Sequence, residues 1–225
     1  MAGTHVKVFI VLVLTMALAG CLTGNVSMKS AKYGGLNSKS IRKIPGHHLI
    51  VTNPEGFKIK ITFRQNDCIP TFDNDKSFKD ALQRMTESAF RRVFVDSEIR
   101  VEGDKAIELG EQFNSVSKIR LSSFIGIIEP ERVFSLIGGG YRFSAILSGR
   151  ATIADEAGII IEKELSSARD TTIDLTLIPK KYKRNCVQFT ADKIAEMLTG
   201  AISDVLTELV RDIEAQRARF LAISG

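Results

Sequence analysis

The sequence contains few of the residues from which catalytic and metal sites are commonly built. Its 225 residues include only 3 histidines and 3 cysteines. A serine-histidine catalytic triad or a histidine-rich zinc site therefore has little material to draw on. We predict no catalytic residue, no bound metal and no cofactor, and we do not expect an enzyme.

Long apolar stretches are also absent from most of the chain. A helix that crosses a membrane needs about 20 consecutive apolar residues, and no stretch after residue 20 is that long and that apolar. The apolar segment at residues 8–18 follows a single lysine, Lys7, and is too short to span. A weakly basic start, a short apolar segment and small residues after it are the layout of an export signal.

The residues after that segment indicate how the mature protein is attached. The sequence Leu18-Ala19-Gly20-Cys21 resembles the lipobox of bacterial lipoproteins. The resemblance implies that residues 1–20 are removed as a signal peptide and that Cys21 becomes the first residue and carries acyl chains, which hold the protein to a membrane. Leu22 is not the aspartate that resembles an inner-membrane retention signal, so we expect the periplasmic face of the outer membrane. The inner membrane, and an ordinary cleaved signal followed by a chance cysteine, are the alternatives.

Two cysteines, Cys68 and Cys186, remain once Cys21 carries lipid. Disulfides persist in the compartments to which exported proteins go. Each of these cysteines comes shortly before a predicted helix, so both could lie in loops at one edge of a sheet. A Cys68–Cys186 disulfide and two separate buried thiols are both compatible with the sequence.

The mature chain divides into a tether and a domain. Residues 21–46 are rich in Gly, Ser, Asn, Lys and Ala with little periodicity, which predicts a flexible tether with a reach of about 25 Å. Residues 47–225 are enough for one domain with a substantial core. His47 and His48 stand at its start. Because neighbouring side chains of a strand point to opposite faces, they do not bind one ion together, and we expect them to be solvated or to cap a neighbouring element.

Apolar periodicity predicts the fold. Residues 57–63 alternate as in a half-buried strand, and residues 141–166 predict a long hairpin. Helical spacing predicts two amphipathic helices, one that ends near Phe94 and one that begins at the N-cap Thr190. We predict an α+β two-layer sandwich in which two helices cover one face of a mainly antiparallel sheet. In the strand after residue 116 we expect these side chains to share one face: Ile119, Leu121, Ser123, Ile125 and Ile127.

This order of elements resembles the small α/β envelope lipoproteins of Gram-negative bacteria. They include the lipopolysaccharide-assembly lipoprotein and the YajG-like lipoproteins. The resemblance implies an accessory role, in which the protein holds, assembles or gates a membrane machine. Only the lipobox matches as a residue motif, and a shared layout does not transfer a function.

Two segments are candidates for binding. The apolar connection at residues 131–140 either folds under the sheet or is exposed to contact a partner protein through Phe134, Leu136 and Ile137. A basic turn is expected to attract the phosphate groups of anionic lipid or lipopolysaccharide, or else to be a solvated turn. Its cations are Lys180, Lys181, Lys183 and Arg184. The net charge of +5 is compatible with such ligands, whereas the export compartment excludes nucleic acid.

Together these features predict a lipid-anchored, non-catalytic binding or assembly component of an envelope complex, with an envelope protein as its partner. The alternative is a carrier of lipid or lipopolysaccharide in envelope transport. A carrier predicts an apolar pocket between the helices and the sheet.

Overall fold

The structure is a computed structural model that describes residues 25–35, 42–53, 56–64, 68–72, 76–101, 113–130, 140–182 and 185–223. Eight strands and three helices lie within these ranges. They are β1 (Asn25–Val26), β2 (Ile44–Asn53), β3 (Lys58–Phe63), β4 (Thr71–Phe72), α1 (Lys76–Phe90), β5 (Phe94–Val101), β6 (Ser115–Pro130), β7 (Gly140–Asp155), β8 (Gly158–Asp174), α2 (Cys186–Ala215) and α3 (Arg217–Ile223). Short 3₁₀ turns at Leu175–Leu177 and Lys180–Tyr182 connect β8 to α2.

Six of the strands form one mixed sheet. Its order is β5-β2-β6-β7-β8, and β3 also pairs with β6. The three longest strands, β6, β7 and β8, pair antiparallel, whereas β2, β3 and β5 are added in parallel. The predicted hairpin is confirmed, because β7 and β8 are joined by a tight turn in which Gly158 has a φ of +124°. That backbone conformation favours glycine.

Helices α1 and α2 cover one face of this sheet, which confirms the predicted two-layer α+β fold. The helical spacing of apolar residues is the cause, since it gives α2 one continuous buried stripe. Members of that stripe are Ile194, Leu198, Ala201, Val205 and Leu209. Fully buried phenylalanines complete the core: Phe90, Phe94, Phe124, Phe143 and Phe220. Phe220 belongs to α3, a short helix that the sequence did not predict.

The prediction that five side chains of β6 share one face was wrong. Ile119 and Leu121 are buried, but Ile125 and Ile127 are 52% and 40% exposed. The pairing of β6 with β7 shifts between Leu121 and Ser123, which is the mark of a β-bulge. An extra residue in a strand moves every later side chain to the other face. The bulge therefore turns two isoleucines outward.

The start of α2 also differs from the prediction. The helix begins at Cys186, and its N-cap is Asn185, whose Oδ1 accepts a hydrogen bond from the backbone N–H of Gln188 at 3.0 Å. Asparagine is as good an N-cap as serine and better than threonine. Thr190, the expected cap, lies inside the helix and is buried.

Part of the expected tether is packed onto the domain. Residues 25–35, which we call the strap, contact both long helices. Its buried side chains are Val26, Met28, Ala31 and Tyr33. The Tyr33 hydroxyl lies 3.1 Å from Thr207 Oγ1 of α2, and Arg84 of α1 donates to the backbone oxygen of Met28 at 3.3 Å. The expectation of a free tether was therefore wrong for these residues, because their apolar side chains reach a groove made by distant parts of the chain.

The rest of the predicted division stays a prediction. Residues 1–24 and 36–41 lie outside the described part of the chain. Among the described residues, no helix is both long enough and apolar enough to cross a membrane.

Candidate functional site

Several predicted site residues lie outside the part of the chain that the structure describes. They are Cys21, Phe134, Leu136, Ile137, Lys183 and Arg184. Their proposed roles in lipidation, in partner contact and in binding of anionic groups stay predictions. Lys180, Lys181, Cys68 and Cys186 are described.

Cys68 and Cys186 are joined by a disulfide. Their Cα atoms are 5.4 Å apart, and the bond links positions separated by 118 in the sequence. Of the two alternatives that the sequence left open, the structure contains the bond. It ties the segment after β3 to the first residue of α2. Closure of a loop this long removes unfolded-state entropy worth about 4 to 5 kcal/mol in the chain-entropy model.

Lys180 and Lys181 lie in an exposed 3₁₀ turn just before α2. The neighbouring Tyr182 fixes the turn to the helix, since its hydroxyl donates to Asp192 Oδ2 at 2.7 Å. Burial, and the hydrogen bond to Asp192 after it, raise the pKa of Tyr182. A groove of about 490 Å³ separates this turn from the strap, and Lys29 and Lys181 both line it. The turn is thus a fixed structure, and the strap adds a further cation beside it.

An exposed apolar patch lies on the open face of the sheet, the face opposite the helices. Ile125 and Ile146 are direct cross-strand neighbours and are 52% and 51% exposed. Ala168 of β8 pairs with Ile146, and Ile127 extends the patch along β6. We call these four residues the isoleucine patch. They line a shallow groove of about 660 Å³.

A glycine makes room for the bulge that creates this patch. Gly149 of β7 pairs with Leu121 at the point where the register shifts. A Cβ atom at Gly149 would lie 2.6 Å from the backbone oxygen of Arg120 and 2.9 Å from Leu121 Cδ2. Only glycine therefore lets the two strands approach this closely, and the outward position of Ile125 and Ile127 depends on it.

Ion pairs surround the isoleucine patch. Arg142 Nε donates to Asp170 Oδ2 at 2.9 Å, and this guanidinium is the main reason that the pKa of the Asp170 carboxyl is lowered. Arg64 Nη1 lies 3.0 Å from Glu129 Oε2. Lys60 pairs across the strands with Ile125. An apolar centre with a polar, solvent-exposed rim is the usual anatomy of a protein–protein interface.

The covered face of β8 is polar where it meets α2, in a contact that we call the α2–β8 seam. Arg169 donates to both carboxylate oxygens of Asp204, and the Ser167 hydroxyl donates to the same carboxylate, all at 2.8 Å. Lys163 Nζ lies 2.7 Å from Asp212 Oδ2. The Arg169 guanidinium, with the Ser167 hydroxyl, lowers the pKa of Asp204. The seam aligns α2 along β8.

His48 is a buried member of the core, so the expectation that it is solvated or capping was wrong. Its Nε2 lies 2.9 Å from the carbonyl oxygen of Pro45, which can only accept, so Nε2 carries the proton. Nδ1 then accepts from the Ser115 hydroxyl at 2.8 Å, and the ring stacks on Phe94. Burial lowers the pKa of His48. The neighbouring His47 points the other way and is half exposed.

His47 takes part in a surface pair. Its Nδ1 lies 2.7 Å from Asp96 Oδ2, and its ring stacks on Phe113. The two histidines thus face apart, as the alternation of a strand requires. Over the described ranges, no group of three His, Cys, Asp or Glu side chains is placed to hold a metal ion.

Comparisons with known proteins identify no family. No protein-family model and no curated protein matches the chain. Among solved structures, a Xanthomonas campestris protein of family DUF330 is 10% identical over 80% of this chain and 95% of that one, with a TM-score of 0.39. A Helicobacter pylori homolog of a neuraminyllactose-binding hemagglutinin is 11% identical over 80% and 96%, with a TM-score of 0.34. A minor lipoprotein from Acinetobacter baumannii is 12% identical over 73% and 94%, with a TM-score of 0.27.

The isoleucine patch was missed at the level of sequence, although one signal of it was present. Ile146 is an apolar residue among the polar positions of β7, which otherwise alternate regularly. The outward position of Ile125 and Ile127 had no such signal, because it follows from a bulge. Of the predicted site residues, the structure joins the two cysteines and leaves Lys180 and Lys181 exposed beside them along the chain.

Proposed function

We propose that this chain is a lipid-anchored lipoprotein on the periplasmic face of the outer membrane and that it is a non-catalytic binding component of an envelope complex. The surface that binds is the isoleucine patch, and a protein partner covers it. The observation that carries the proposal is the exposure of Ile125 and Ile146, side by side on a sheet face that no described element covers. Contiguous apolar surface of this kind on a soluble domain commonly marks an interaction site.

The interior of the domain favours this proposal over the carrier alternative. A carrier of lipid or lipopolysaccharide requires an apolar pocket between helices and sheet. Among the described residues, aromatic rings fill part of this layer: Phe124 and Phe143 meet edge to face at 6.2 Å, and both are fully buried. An apolar and open groove lined by described residues lies on the opposite side of the sheet. A surface for a partner therefore fits the geometry better than an enclosed ligand site.

Lipid anchoring supplies the other half of the proposal. It follows from the resemblance of residues 18–21 to a lipobox, and it predicts acyl chains on Cys21. Mass spectrometry of the N-terminal peptide of the mature protein tests it directly. We expect a peptide that begins at Cys21 and carries acyl chains, and we expect Cys21→Ser to release the protein from membranes. An unmodified N-terminus would contradict the anchor.

Site-specific crosslinking tests the binding surface. A photoreactive amino acid in place of Ile146 is compared with the same residue in place of Ile159, which is 55% exposed in the hairpin turn away from the patch. We expect one discrete crosslinked protein at position 146, absent at position 159 and lost when Ile125→Ser and Ile127→Ser are added. Equal crosslinking at both positions would exclude the patch as the contact. Crosslinking to lipid alone would favour the carrier.

The apolar connection between β6 and β7 remains a second proposed contact. Its residues Phe134, Leu136 and Ile137 follow the strand that carries Ile125 and Ile127. Alanine at all three positions is expected to weaken the crosslink at position 146 if the partner covers both surfaces. An unchanged crosslink would restrict the interface to the sheet.

A further inference from the structure

The strap enters the domain at one particular end of the sandwich. Asn25 pairs with Thr71 of β4, which lies three residues after Cys68. Cys68 is bonded to Cys186 at the start of α2. We call this end, where β8 stops and α2 begins, the disulfide end. The turn between β7 and β8 lies at the opposite end.

Very little chain separates this entry point from the lipid. Only Leu22, Thr23 and Gly24 lie between Cys21 and Asn25. A fully extended chain spans at most about 3.6 Å per residue, so the Cα atoms of Cys21 and Asn25 are at most about 14 Å apart. The strap cannot lengthen this connection, because Val26 and Met28 are buried against the helices. An acylated Cys21 therefore keeps the disulfide end next to the membrane surface.

The side chains exposed at this end suit a lipid surface. Leu177, in the 3₁₀ turn after β8, is 72% exposed, which is more than any other large apolar side chain among the described residues. Lys180 and Lys181 follow it in an exposed turn, and Lys29 of the strap lines the same groove as Lys181. An exposed leucine beside lysines combines insertion at the interface with attraction to anionic head groups.

The arginines near this end are differently placed. Arg64 and Arg142 are each paired with a carboxylate, Glu129 and Asp170 respectively. Their charge is therefore largely neutralised within the protein. Among the described residues at this end, the lysines of the turn and the strap are exposed cations that a phosphate group of a lipid can reach.

We propose that the membrane that holds the lipid anchor is also a docking surface for the folded domain. Anionic lipid head groups bind Lys29, Lys180 and Lys181, and Leu177 inserts between them. The strands then stand upright on the membrane, and the isoleucine patch faces sideways, toward a partner in the same membrane. This proposal rests on the proposed function, because it requires the lipid on Cys21.

Fluorescence quenching by lipid tests the docked orientation. The lipidated full-length protein is incorporated into vesicles of phosphatidylethanolamine and phosphatidylglycerol that contain lipids with a nitroxide on the head group. A fluorophore is attached to Pro179→Cys at the disulfide end or to Glu156→Cys in the opposite hairpin turn, both at exposed positions. We expect strong quenching at position 179 and little at position 156. Equal quenching at the two positions in protein that floats with the vesicles would overturn the docking proposal.

Two further variants separate docking from anchoring. Reversal of Lys29, Lys180 and Lys181 to glutamate is expected to reduce quenching at position 179 several-fold without loss of flotation. The matched control, Lys43→Glu with Lys58→Glu and Lys118→Glu, reverses the same number of exposed lysines elsewhere and is expected to leave quenching unaltered. If the control reduced quenching at position 179 as much as the test variant does, a specific role of Lys29, Lys180 and Lys181 in docking would be overturned.

The same samples distinguish a failure of the docking proposal from a failure of the lipid anchor. Protein that neither floats with the vesicles nor carries acyl chains at Cys21 overturns the lipid anchor, and with it the docking. Protein that is acylated and floats, but shows no difference between positions 179 and 156, overturns only the docking. A flexible glycine-serine insertion after Gly24 is expected to lower quenching at position 179, because it removes the short connection that holds this end down.

Discussion

The two faces of the sheet near β8 are built in opposite ways. On the covered face, β8 meets α2 through Lys163, Ser167 and Arg169, which bind carboxylates of the helix. On the open face, Ile125 and Ile146 are half exposed to solvent. The usual sheet buries its apolar side chains and exposes its polar ones. The difference teaches that hydrogen bonds and ion pairs help to align a helix that its apolar stripe already buries, whereas the apolar surface of the open face contributes little to folding.

The largest loss of stability is expected from a substitution that disrupts the β-bulge next to the isoleucine patch. Gly149→Ala places a Cβ within 2.6 Å of the backbone oxygen of Arg120, so the strands must separate or the register must shift. We expect a loss of about 2 to 3 kcal/mol in the free energy of unfolding, typical of overpacking in a rigid setting. Urea denaturation measures it. Ser148→Ala, one residue away, is the control and is expected to change stability by less than about 0.5 kcal/mol.

Removal of one carboxylate from the α2–β8 seam is expected to lower the stability of the protein. Asp204→Ala leaves Arg169 and Ser167 without their shared acceptor and should destabilise the protein by about 1 kcal/mol, since the site is partly exposed and screened. The control is Glu164→Ala on the open face, whose carboxylate is 79% exposed. Thermal unfolding of both variants sharpens the comparison. Equal midpoints would contradict a stabilising role of the seam.

The lowered pKa values of His48 and Asp204 predict how the stability of the fold depends on pH. The folded pKa of His48 lies below its ordinary value of 6.5, because burial disfavours the charged ring. The unfolded chain therefore binds a proton first, and stability is lost as the pH falls below 6.5. The pKa of Asp204 is lowered from 3.8, so its contribution is present above pH 3.8 and is lost as the pH falls below that value.

Two variants distinguish the pH range in which His48 lowers stability from the range in which Asp204 does. His48→Gln keeps a donor and an acceptor without a titrating ring, and we expect its stability to be independent of pH between neutrality and pH 5 where the parent declines. Asp204→Asn should still lose stability as the pH falls below 6.5, as His48 predicts, but should lack the further loss below pH 3.8. Stability measured by urea denaturation from neutral pH to below pH 3.8 checks both expectations. A decline of the His48→Gln variant as steep as that of the parent would assign the loss of stability below pH 6.5 to another group.

The smallest effect is expected at the patch itself. Ile125→Ser with Ile127→Ser removes exposed apolar groups that no element in the described ranges covers, so stability should change by less than about 0.5 kcal/mol. The partner crosslink at position 146 should nevertheless disappear. A large loss of stability would show that these residues belong to the core of the fold and would remove the contrast between the two faces.

Local periodicity made much of this fold predictable. The alternation in β7 and β8 and the stripe of α2 were predictable, because each depends on neighbours in the sequence. Counting cysteines identified Cys68 and Cys186 as a possible pair but left their bond open, and the structure contains it. The outward position of the side chains after Leu121 was not predictable, because the β-bulge arises from how β6 pairs with β7. The strap was missed for the same reason. Its buried side chains follow neither period, and their binding groove is built by residues more than fifty positions away.

The strap also sets an order of events during maturation. It is the first described segment of the chain, yet the surface it packs against includes Thr199 and Thr207, which follow their strap partners by 171 and 174 positions and are synthesised much later. The strap can therefore complete its packing only after α2 has been made. The first described segment of the chain thus closes onto a surface that its own C-terminal half must supply, and any change that delays the folding of α2 is expected to leave the strap exposed.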